Sequence, residues 1–230
     1  MLLPHSSPRE PSASEISHLI NGTPSWYPHG CATHGDWQIP VVQSPVFDAP
    51  AVTSIAYDKR GQANRPGETV LHGYVADRKL RPHVAHPGPW VARFSPFWGI
   101  IAPDFSVRLG DPPDRRVFAV RMSRAVAAFY ASRGLRVIPS VRWGDHRDYE
   151  YCFLGVEPGS AVAVSNHGLW KNHTLRQMFV SGIQVLREVV NPRLIFVHGT
   201  MDHPVLRNLC KSTEVVHLEA DRTRARKEAS

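Results

Sequence analysis

The stretch Gly134-Leu-Arg-Val-Ile-Pro-Ser-Val-Arg-Trp-Gly-Asp-His146 begins as a largely apolar run and ends in aromatic, acidic and imidazole side chains. A run rich in Val, Ile and Leu is typical of a strand that is covered on both faces of its sheet. Polar groups directly after such a strand fall where parallel α/β proteins bind their ligands. This stretch therefore indicates both an architecture and the position of a site.

The same arrangement recurs along the rest of the chain. Short apolar runs predict strands at residues 52–57, 69–76, 98–102, 135–141, 160–164, 194–198 and 214–218. Pro139 lies inside the fourth run, where proline removes a donor from the ladder, so we expect a bulge or a sheet edge there.

Helical patterns lie between the predicted strands. At 114–133, Phe118 belongs to an apolar stripe at helical spacing, and Arg116 and Arg124 lie off that stripe. At 174–190, Thr174 and Gln177 form a capping-box pattern at the helix start.

Shorter helices are predicted at 89–94, 149–154 and 203–210. The alternation predicts an α/β fold of mostly parallel strands and helices, either an irregular TIM-barrel-like barrel or an open parallel sheet.

Composition bounds the domain organisation and the environment. The chain has 230 residues, 42% of them hydrophobic, enough for the core of a single domain at 39–220. Residues 1–38 read as an irregular, partly disordered segment, and 221–230 as a basic disordered tail. The apolar runs are too short to cross a membrane, and three cysteines with no paired spacing suit the cytoplasm. The sequence leaves the oligomeric state open.

Most predicted strands are followed by a polar group, and the carboxyl ends of parallel strands share one rim. We expect Asp104, Asp145, His167 and His198 to be catalytic, and Asp77, Ser106, Trp143 and Ser165 to bind the ligand. Carboxylates there would act as acids or bases, or hold a divalent metal, with histidine as a proton carrier or ligand. The alternative is that Asp104 or Asp145 only caps the next helix.

A second group of candidate ligands lies near the N-terminus. His29, Cys31 and His34 fall within six residues and carry side chains that bind zinc. A matching second half of such a site is not evident, so these residues are weak metal candidates, and Gly- and His-rich loops are also common without metal.

Several motifs in order resemble the domain of unknown function 4417 family, whose members occur in bacteria, phages and integrated mobile elements. They are Ala102-Pro-Asp-Phe-Ser106, the stretch from Gly134 to Asp145, Tyr151-Cys-Phe-Leu-Gly155 and Gly159-Ser-Ala-Val-Ala-Val-Ser165, and the resemblance runs from 39 to 199. It implies no particular reaction, but it selects Pro103, Asp104, Ser106, Trp143, Gly144, Asp145, Ser165 and Gly199. The family tends to show an acidic pair at Val75-Ala-Asp77, where this chain has Asp77 alone.

Two functional readings follow. The first is a phage- or mobile-element-associated enzyme, hydrolase-like, acting on a nucleotide, nucleic acid or sugar through strand-end carboxylates. The second is a non-catalytic nucleic-acid or protein-binding accessory factor, suggested by the net charge of +7 and by Trp26, Trp37 and Trp90.

Overall fold

The structure is a computed structural model that describes residue 26 and residues 30–44 and 52–220. Its strands are β1 Thr33–His34, β2 Ile39–Pro40, β3 Thr53–Ala56, β4 Thr69–Gly73, β5 Gly99–Pro103, β6 Val137–Ile138, β7 Ala161–Ser165, β8 Leu194–His198 and β9 Glu214–Leu218. Its α-helices are α1 Asp77–Ala85, α2 Gly88–Phe94, α3 Pro113–Ser132, α4 His173–Val189 and α5 Pro204–Leu209. Three 3-10 helices span Tyr57–Gln62, Pro66–Glu68 and His146–Glu150.

The seven strands from β3 to β9 pair in chain order, and every pair is parallel. They form one ladder from β3 to β6 and a second from β7 to β9. A single parallel bridge between Ser140 and Ala163 joins the ladders, with Val141 N and Ala163 O 2.8 Å apart. The predicted irregularity at Pro139 is confirmed, because β6 ends before it and the chain then moves to the second ladder.

The sheet is strongly curved. His72 lies on β4 and His198 on β8, four strands further along, where a flat sheet would hold them roughly 19 Å apart. Their ring centroids are 4.8 Å apart. One buried cluster fills the inside of the curve with side chains from six strands: Val70, Ile101, Ile138, Ala161, Ala163, Leu194, Phe196 and Leu218. The α/β prediction is therefore confirmed, and the curvature is barrel-like.

Helices cover the outer face of this sheet. Val162, Val164, Ile195 and Val197 point outward and share a core cluster with Phe179 and Ile183 of α4 and Leu206 of α5. On the first ladder, Leu71 and Ile100 pack in a cluster with Phe129 and Tyr130 of α3. Strands covered on both faces explain why the sequence shows continuous apolar runs instead of alternation.

The predicted apolar stripe of α3 is confirmed at Met122, Ala125, Val126 and Phe129, which are buried, and is wrong at Phe118 and at two arginines. Arg116 and Arg124 are almost fully buried, whereas Phe118 is 55% exposed. The core accepts both arginines because each guanidinium has buried acceptors: Arg116 approaches Asp148 at 2.8 Å, and Arg124 donates to the Ser140 carbonyl at 2.6 Å. Hydropathy values describe each residue alone and do not include hydrogen-bond acceptors elsewhere in the fold, so they do not predict that these arginines are buried.

Three further local predictions are corrected. Asn172, and not Thr174, caps α4, because its side chain accepts from the backbone N–H of Leu175 at 3.1 Å. The helix expected at 149–154 is the 3-10 helix His146–Glu150 followed by turns. Helix α1 was not predicted, since it contains Pro82 and buries only Leu80 and His83.

The N-terminal part of the described chain forms a short hairpin in which Thr33–His34 pairs antiparallel with Ile39–Pro40. Gly155 allows this hairpin to pack closely, because a Cβ at its positive φ would meet the Pro40 carbonyl oxygen at 2.1 Å. The predicted boundary at residue 39 falls within the hairpin, while residues 1–25 and the predicted tail 221–230 lie outside the described residues. In the part of the chain described, every helix is too short or too polar to cross a membrane.

Candidate functional site

A cleft of about 310 Å³ opens at the carboxyl ends of β5, β6 and β7. Its polar lining consists of Asp104, Arg108, Arg142, Ser165 and His167. Its apolar lining includes Val107, Val141, Trp143, Leu169, Met178 and Phe179. The cleft therefore lies where parallel α/β folds place their ligands, and four of the eight predicted site residues line it: Asp104, Trp143, Ser165 and His167.

Asp104 directly follows β5 and is 7% exposed. Its carboxylate accepts hydrogen bonds from Ser140 Oγ at 3.1 Å and from Arg142 Nη1. Burial raises the pKa of Asp104, and the Arg142 guanidinium and the Ser140 hydroxyl oppose that rise only in part. The raised pKa brings protonation of this carboxyl closer to neutral pH, as an acid–base role requires.

Buried Arg124 fixes the backbone that carries Ser140. Its guanidinium donates to three carbonyls, those of Ser140 at 2.6 Å, Cys152 at 3.0 Å and Leu154 at 3.1 Å. Burial lowers the pKa of Arg124 to about 10, so it remains a cation at neutral pH. Helix α3 thereby holds the turn after β6 against the body of the protein.

Next to Asp104 and Arg142, two neighbouring strands end in polar residues: β7 ends at Ser165 and β8 at His198. Ser165 Oγ lies 3.0 Å from His198 Nδ1. The His198 ring stacks on Tyr74, with centroids 4.6 Å apart and ring planes 18° apart. The Tyr74 hydroxyl lies 3.4 Å from Ser140 Oγ, so Tyr74 links His198 to the Asp104 carboxyl through a ring stack and this hydroxyl contact, although His198 is absent from the described lining of the cleft. We call Asp104, Ser140, Arg142, Ser165 and His198 the cleft cluster.

His167 lies at the mouth of the cleft. It is exposed, and its ring centroid is 5.8 Å from that of His198. Beneath it, Asn166 is fully buried and its side chain bonds both backbone groups of Thr200, at 2.7 Å and 2.9 Å. Gly199 has φ of 126°, and a Cβ there would meet the Asn166 amide oxygen at 2.1 Å. The loops after β7 and β8 are thus fixed to each other under the exposed imidazole.

Asp145 belongs to a different group of side chains. Its carboxylate accepts from the Arg147 backbone N–H at 3.0 Å and from Arg147 Nη2 at 2.6 Å, and Arg116 Nη1 lies 3.4 Å away. Hydrogen bonds from Arg147 hold the pKa of Asp145 well below its usual range. Asp145 caps the 3-10 helix His146–Glu150 and is absent from the described lining of the cleft. The capping role is therefore present, and a catalytic role stays a prediction.

Asp148 stands at the centre of this second group. It is fully buried and accepts from the backbone N–H of Gly144 at 2.6 Å, from the Tyr151 hydroxyl and from Arg116 at 2.8 Å. We call Asp145, Asp148, Arg116, Arg147 and Tyr151 the capping cluster.

Two predicted ligand-binding residues bind each other. Asp77, in the first turn of α1, accepts from the backbone N–H of Ser106 at 3.2 Å and from its hydroxyl at 3.0 Å.

Trp143 donates its indole N–H to the Met178 carbonyl at 3.0 Å, and its ring stacks on Phe179 at 5.8 Å. Trp143 consequently presents an apolar surface to the cleft.

Of the three predicted metal candidates, Cys31 and His34 lie among the described residues. His29 lies outside the described residues, and Cys31 Sγ lies 3.7 Å from the Val41 carbonyl oxygen. Within the described residues, no three or more His, Cys, Asp or Glu side chains come together in a way that could hold a metal ion.

The sequence prediction missed Arg108, Ser140 and Arg142. Ser140 and Arg142 are two positions apart, as residues on one face of an extended chain are, and that spacing from Pro139 onward was a usable signal. Arg108 lies in the loop after β5 and had no signal beyond its charge.

These observations define a class of protein: a parallel α/β protein whose sheet curves around an apolar core, with a polar cleft at the strand ends. The family model described as Domain of unknown function (DUF4417) matches residues 31–218, and the chain belongs to that family. The expected resemblance is thus confirmed, and the match also includes residues 31–38 and 200–218, which the resemblance at 39–199 left out.

Two phage proteins are similar to the chain. The Gene 1 protein of Mycobacterium phage L5 is 27% identical over 133 residues, 58% of each chain. The Gene 1 protein of Mycobacterium phage D29 is 28% identical over 131 residues, 57% of this chain and 48% of its own. The aligned part thus spans about half the length of these relatives. No solved structure matches the chain.

Proposed function

We propose that this chain is a hydrolase-like enzyme acting on a small phosphorylated molecule, with nucleotides and sugar phosphates as the candidate classes. The charge balance of the cleft carries the proposal. Arg142 is paired with Asp104, whereas Arg108 lines the same cleft with no carboxylate partner among the described residues. An anionic group between Arg108 and His167 would balance that charge, and guanidinium groups suit phosphate oxygens.

The volume of the cleft agrees with a small substrate. Small-molecule sites span roughly 300 to 1,000 Å³, and this cleft measures about 310 Å³. Its apolar wall, built on Trp143 and Phe179, suits a base or sugar ring, and its cationic side suits the phosphate.

Hydrolysis adds water across a bond, so one group must accept a proton from water and another must give a proton to the leaving group. In our proposal Asp104, whose pKa is raised by burial, gives the proton to the leaving group, and one of the two imidazoles, His198 or His167, accepts the proton from water. Ser165 orients His198 through the 3.0 Å contact with Nδ1. The proposal includes a cytoplasmic location, which the three unpaired cysteines support.

Calorimetric titration tests the binding step. AMP and glucose 6-phosphate should bind, and adenosine and glucose should bind about tenfold more weakly or not at all. Arg108→Gln should weaken AMP binding by about tenfold, and Arg207→Gln, at an exposed pair with Asp202, should leave it unchanged. Equal affinity for each phosphorylated compound and its parent would contradict the proposal.

Turnover tests the chemical step separately. Product formation from a panel of nucleotides and sugar phosphates, followed by NMR, should be lost in Asp104→Asn and His198→Gln while binding persists. Retained turnover in both variants would remove these residues from the chemistry.

A non-catalytic, nucleic-acid or protein-binding accessory role is the second candidate. One surface feature favours nucleic acid: the guanidinium groups of Arg60 and Arg93 lie over the Trp90 ring, at 4.9 Å and 4.8 Å from its centroid. Binding through phosphates should weaken steeply as salt concentration rises. A flat salt response in a DNA- and RNA-binding assay would count against this role.

A further inference from the structure

A second groove lies on the outer surface, formed largely by residues of helices α1 and α3. It has a volume of about 480 Å³. Its apolar lining comes from Val84, Ala85, Phe105, Phe118, Ala119 and Met122. Apart from Phe105, Ser106 and Arg108 in the loop after β5, all its lining residues lie on α1, on α3 or just before α3. The groove is therefore distinct from the cleft, which it meets at Arg108.

Phe118 is the unusual residue of this groove. Its neighbours Val117 and Ala119 are buried, but Phe118 is 55% exposed. A single exposed apolar residue is ordinary on a protein surface. Here, however, the ring stands beside a concave apolar surface, and exposed apolar patches with a polar rim mark interaction sites.

The rim of the groove is positively charged. Arg81, Arg108 and Arg115 line it together with Asp77 and Asp111. Both carboxylates already have partners: Asp77 accepts from Ser106, and Asp111 lies 3.6 Å from Arg115. Among the described residues, Arg81 and Arg108 have no carboxylate partner, so the rim has cationic groups available to a ligand.

We propose that this groove binds an acidic amphipathic helix of a partner protein. The apolar face of such a helix would cover Phe118 and Met122. Its acidic residues would meet Arg81 and the exposed Arg115, whose single contact with Asp111 at 3.6 Å leaves its other donors available. Nucleic acid fits less well, because a phosphate backbone would leave Phe118 uncovered. A second copy of this chain also fits less well, because a symmetric contact would bring like-charged rims together.

The probe is a fluorescently labelled peptide with Leu and Phe at helical spacing and Glu at the remaining positions. We expect fluorescence anisotropy to show binding to the full chain, and circular dichroism to show that the peptide gains helix. A peptide with Lys in place of every Glu should bind about tenfold more weakly or not at all. If the acidic peptide does not bind, or if the Lys peptide binds equally well, the proposal is wrong.

Matched variants locate the binding. Phe118→Gln should weaken peptide binding about tenfold, whereas Val189→Gln, at an equally exposed apolar residue of α4, should not. Arg81→Glu with Arg115→Glu should abolish binding, and Arg207→Glu with Lys211→Glu should leave it intact. Equal loss in test and control variants, preferential binding of a DNA or RNA oligonucleotide at Phe118, or dimerisation lost in Phe118→Gln would each overturn the assignment. Unfolding curves of every variant verify that it is folded.

Discussion

The cleft cluster and the capping cluster are alike in composition and opposite in character. In both, a nearly buried carboxylate meets an arginine, yet burial raises the pKa of Asp104 and hydrogen bonds lower that of Asp145. Asp145 receives bonds from Arg147 through its backbone and side chain, with Arg116 close by. Asp104 has one hydroxyl and one guanidinium. The larger number of donors around Asp145 accounts for the opposite directions of the two pKa shifts.

The largest expected effect is on the capping cluster. Asp148→Asn removes the nearer of the two carboxylates that contact buried Arg116, and breaking a buried ion pair costs roughly 3–5 kcal/mol. Urea unfolding should show a loss of that size in the free energy of unfolding. Asp202→Asn, at an exposed pair, is the control and should have almost no effect. An equally small loss in Asp148→Asn would mean that the two clusters do not differ as we describe.

Gly182→Ala tests whether the apolar wall of the cleft depends on close packing. A Cβ at residue 182 would meet Trp143 ring atoms at 2.0 Å and 2.2 Å, so the indole must move and release its bond to the Met178 carbonyl. We expect a loss of about 1–3 kcal/mol in the free energy of unfolding and a shift in tryptophan fluorescence. An Ala substitution at Gly110, where a Cβ would meet nothing within 4 Å, is the matched control.

The pH dependence of stability should separate Asp145 from Asp104 by sign. The pKa of Asp145 is lowered in the folded state. Its contribution to the free energy of unfolding is therefore complete above the ordinary pKa near 3.8 and is lost as pH falls below that value. The pKa of Asp104 is raised, so above pH 3.8 the folded state keeps a proton that the unfolded state releases. The contribution of Asp104 to the free energy of unfolding therefore falls as pH rises above that value.

Urea unfolding between about pH 3 and pH 7 measures both slopes. Asp145→Asn should flatten the acid side of the wild-type profile, with a loss on the order of 1 kcal/mol at neutral pH. Asp104→Asn should remove the decline above pH 4. Slopes of the same sign for both variants would show that the donor count does not decide the behaviour of these carboxylates.

The smallest effect should be that of Asp104→Asn on stability at neutral pH. The amide keeps the shape of the carboxyl and removes a buried charge, while Arg142, about a third exposed, is hydrated when unpaired. We expect a change within about 1 kcal/mol, measured by urea unfolding. A loss as large as that of Asp148→Asn would make Asp104 a structural residue.

The sequence predicted the strands well for a physical reason. The strands from β3 to β8 are buried along nearly all their length, so their apolar runs are set by local composition, whereas β9 is partly exposed. The buried arginines of α3 could not be predicted in this way, because Arg116 and Arg124 depend on acceptors that lie 16 to 32 residues away in the chain.

The cleft lies at the strand ends, where the sequence predicts a site, and four of the eight predicted residues line it. Parallel strands bring their carboxyl ends together, which was enough to select Asp104, Ser165 and His198. The count of donors around Asp145 depends on Arg116, which reaches it from α3, and no spacing in the sequence shows that contact. Arg108 and Arg142 were missed because arginine is common along this chain and only the cleft distinguishes them.

The single bridge between Ser140 and Ala163 has a mechanical consequence. This bridge joins the two ladders, and the cleft opens directly beside it. Arg142 lines the cleft on one side of the bridge and Ser165 on the other. A ligand that contacts both Arg142 and Ser165 would connect the two ladders at the point where few backbone hydrogen bonds join them. Ligand binding in the cleft should then slow hydrogen exchange first at the backbone amides of Val141 and Ala163, which donate the two hydrogen bonds between the ladders.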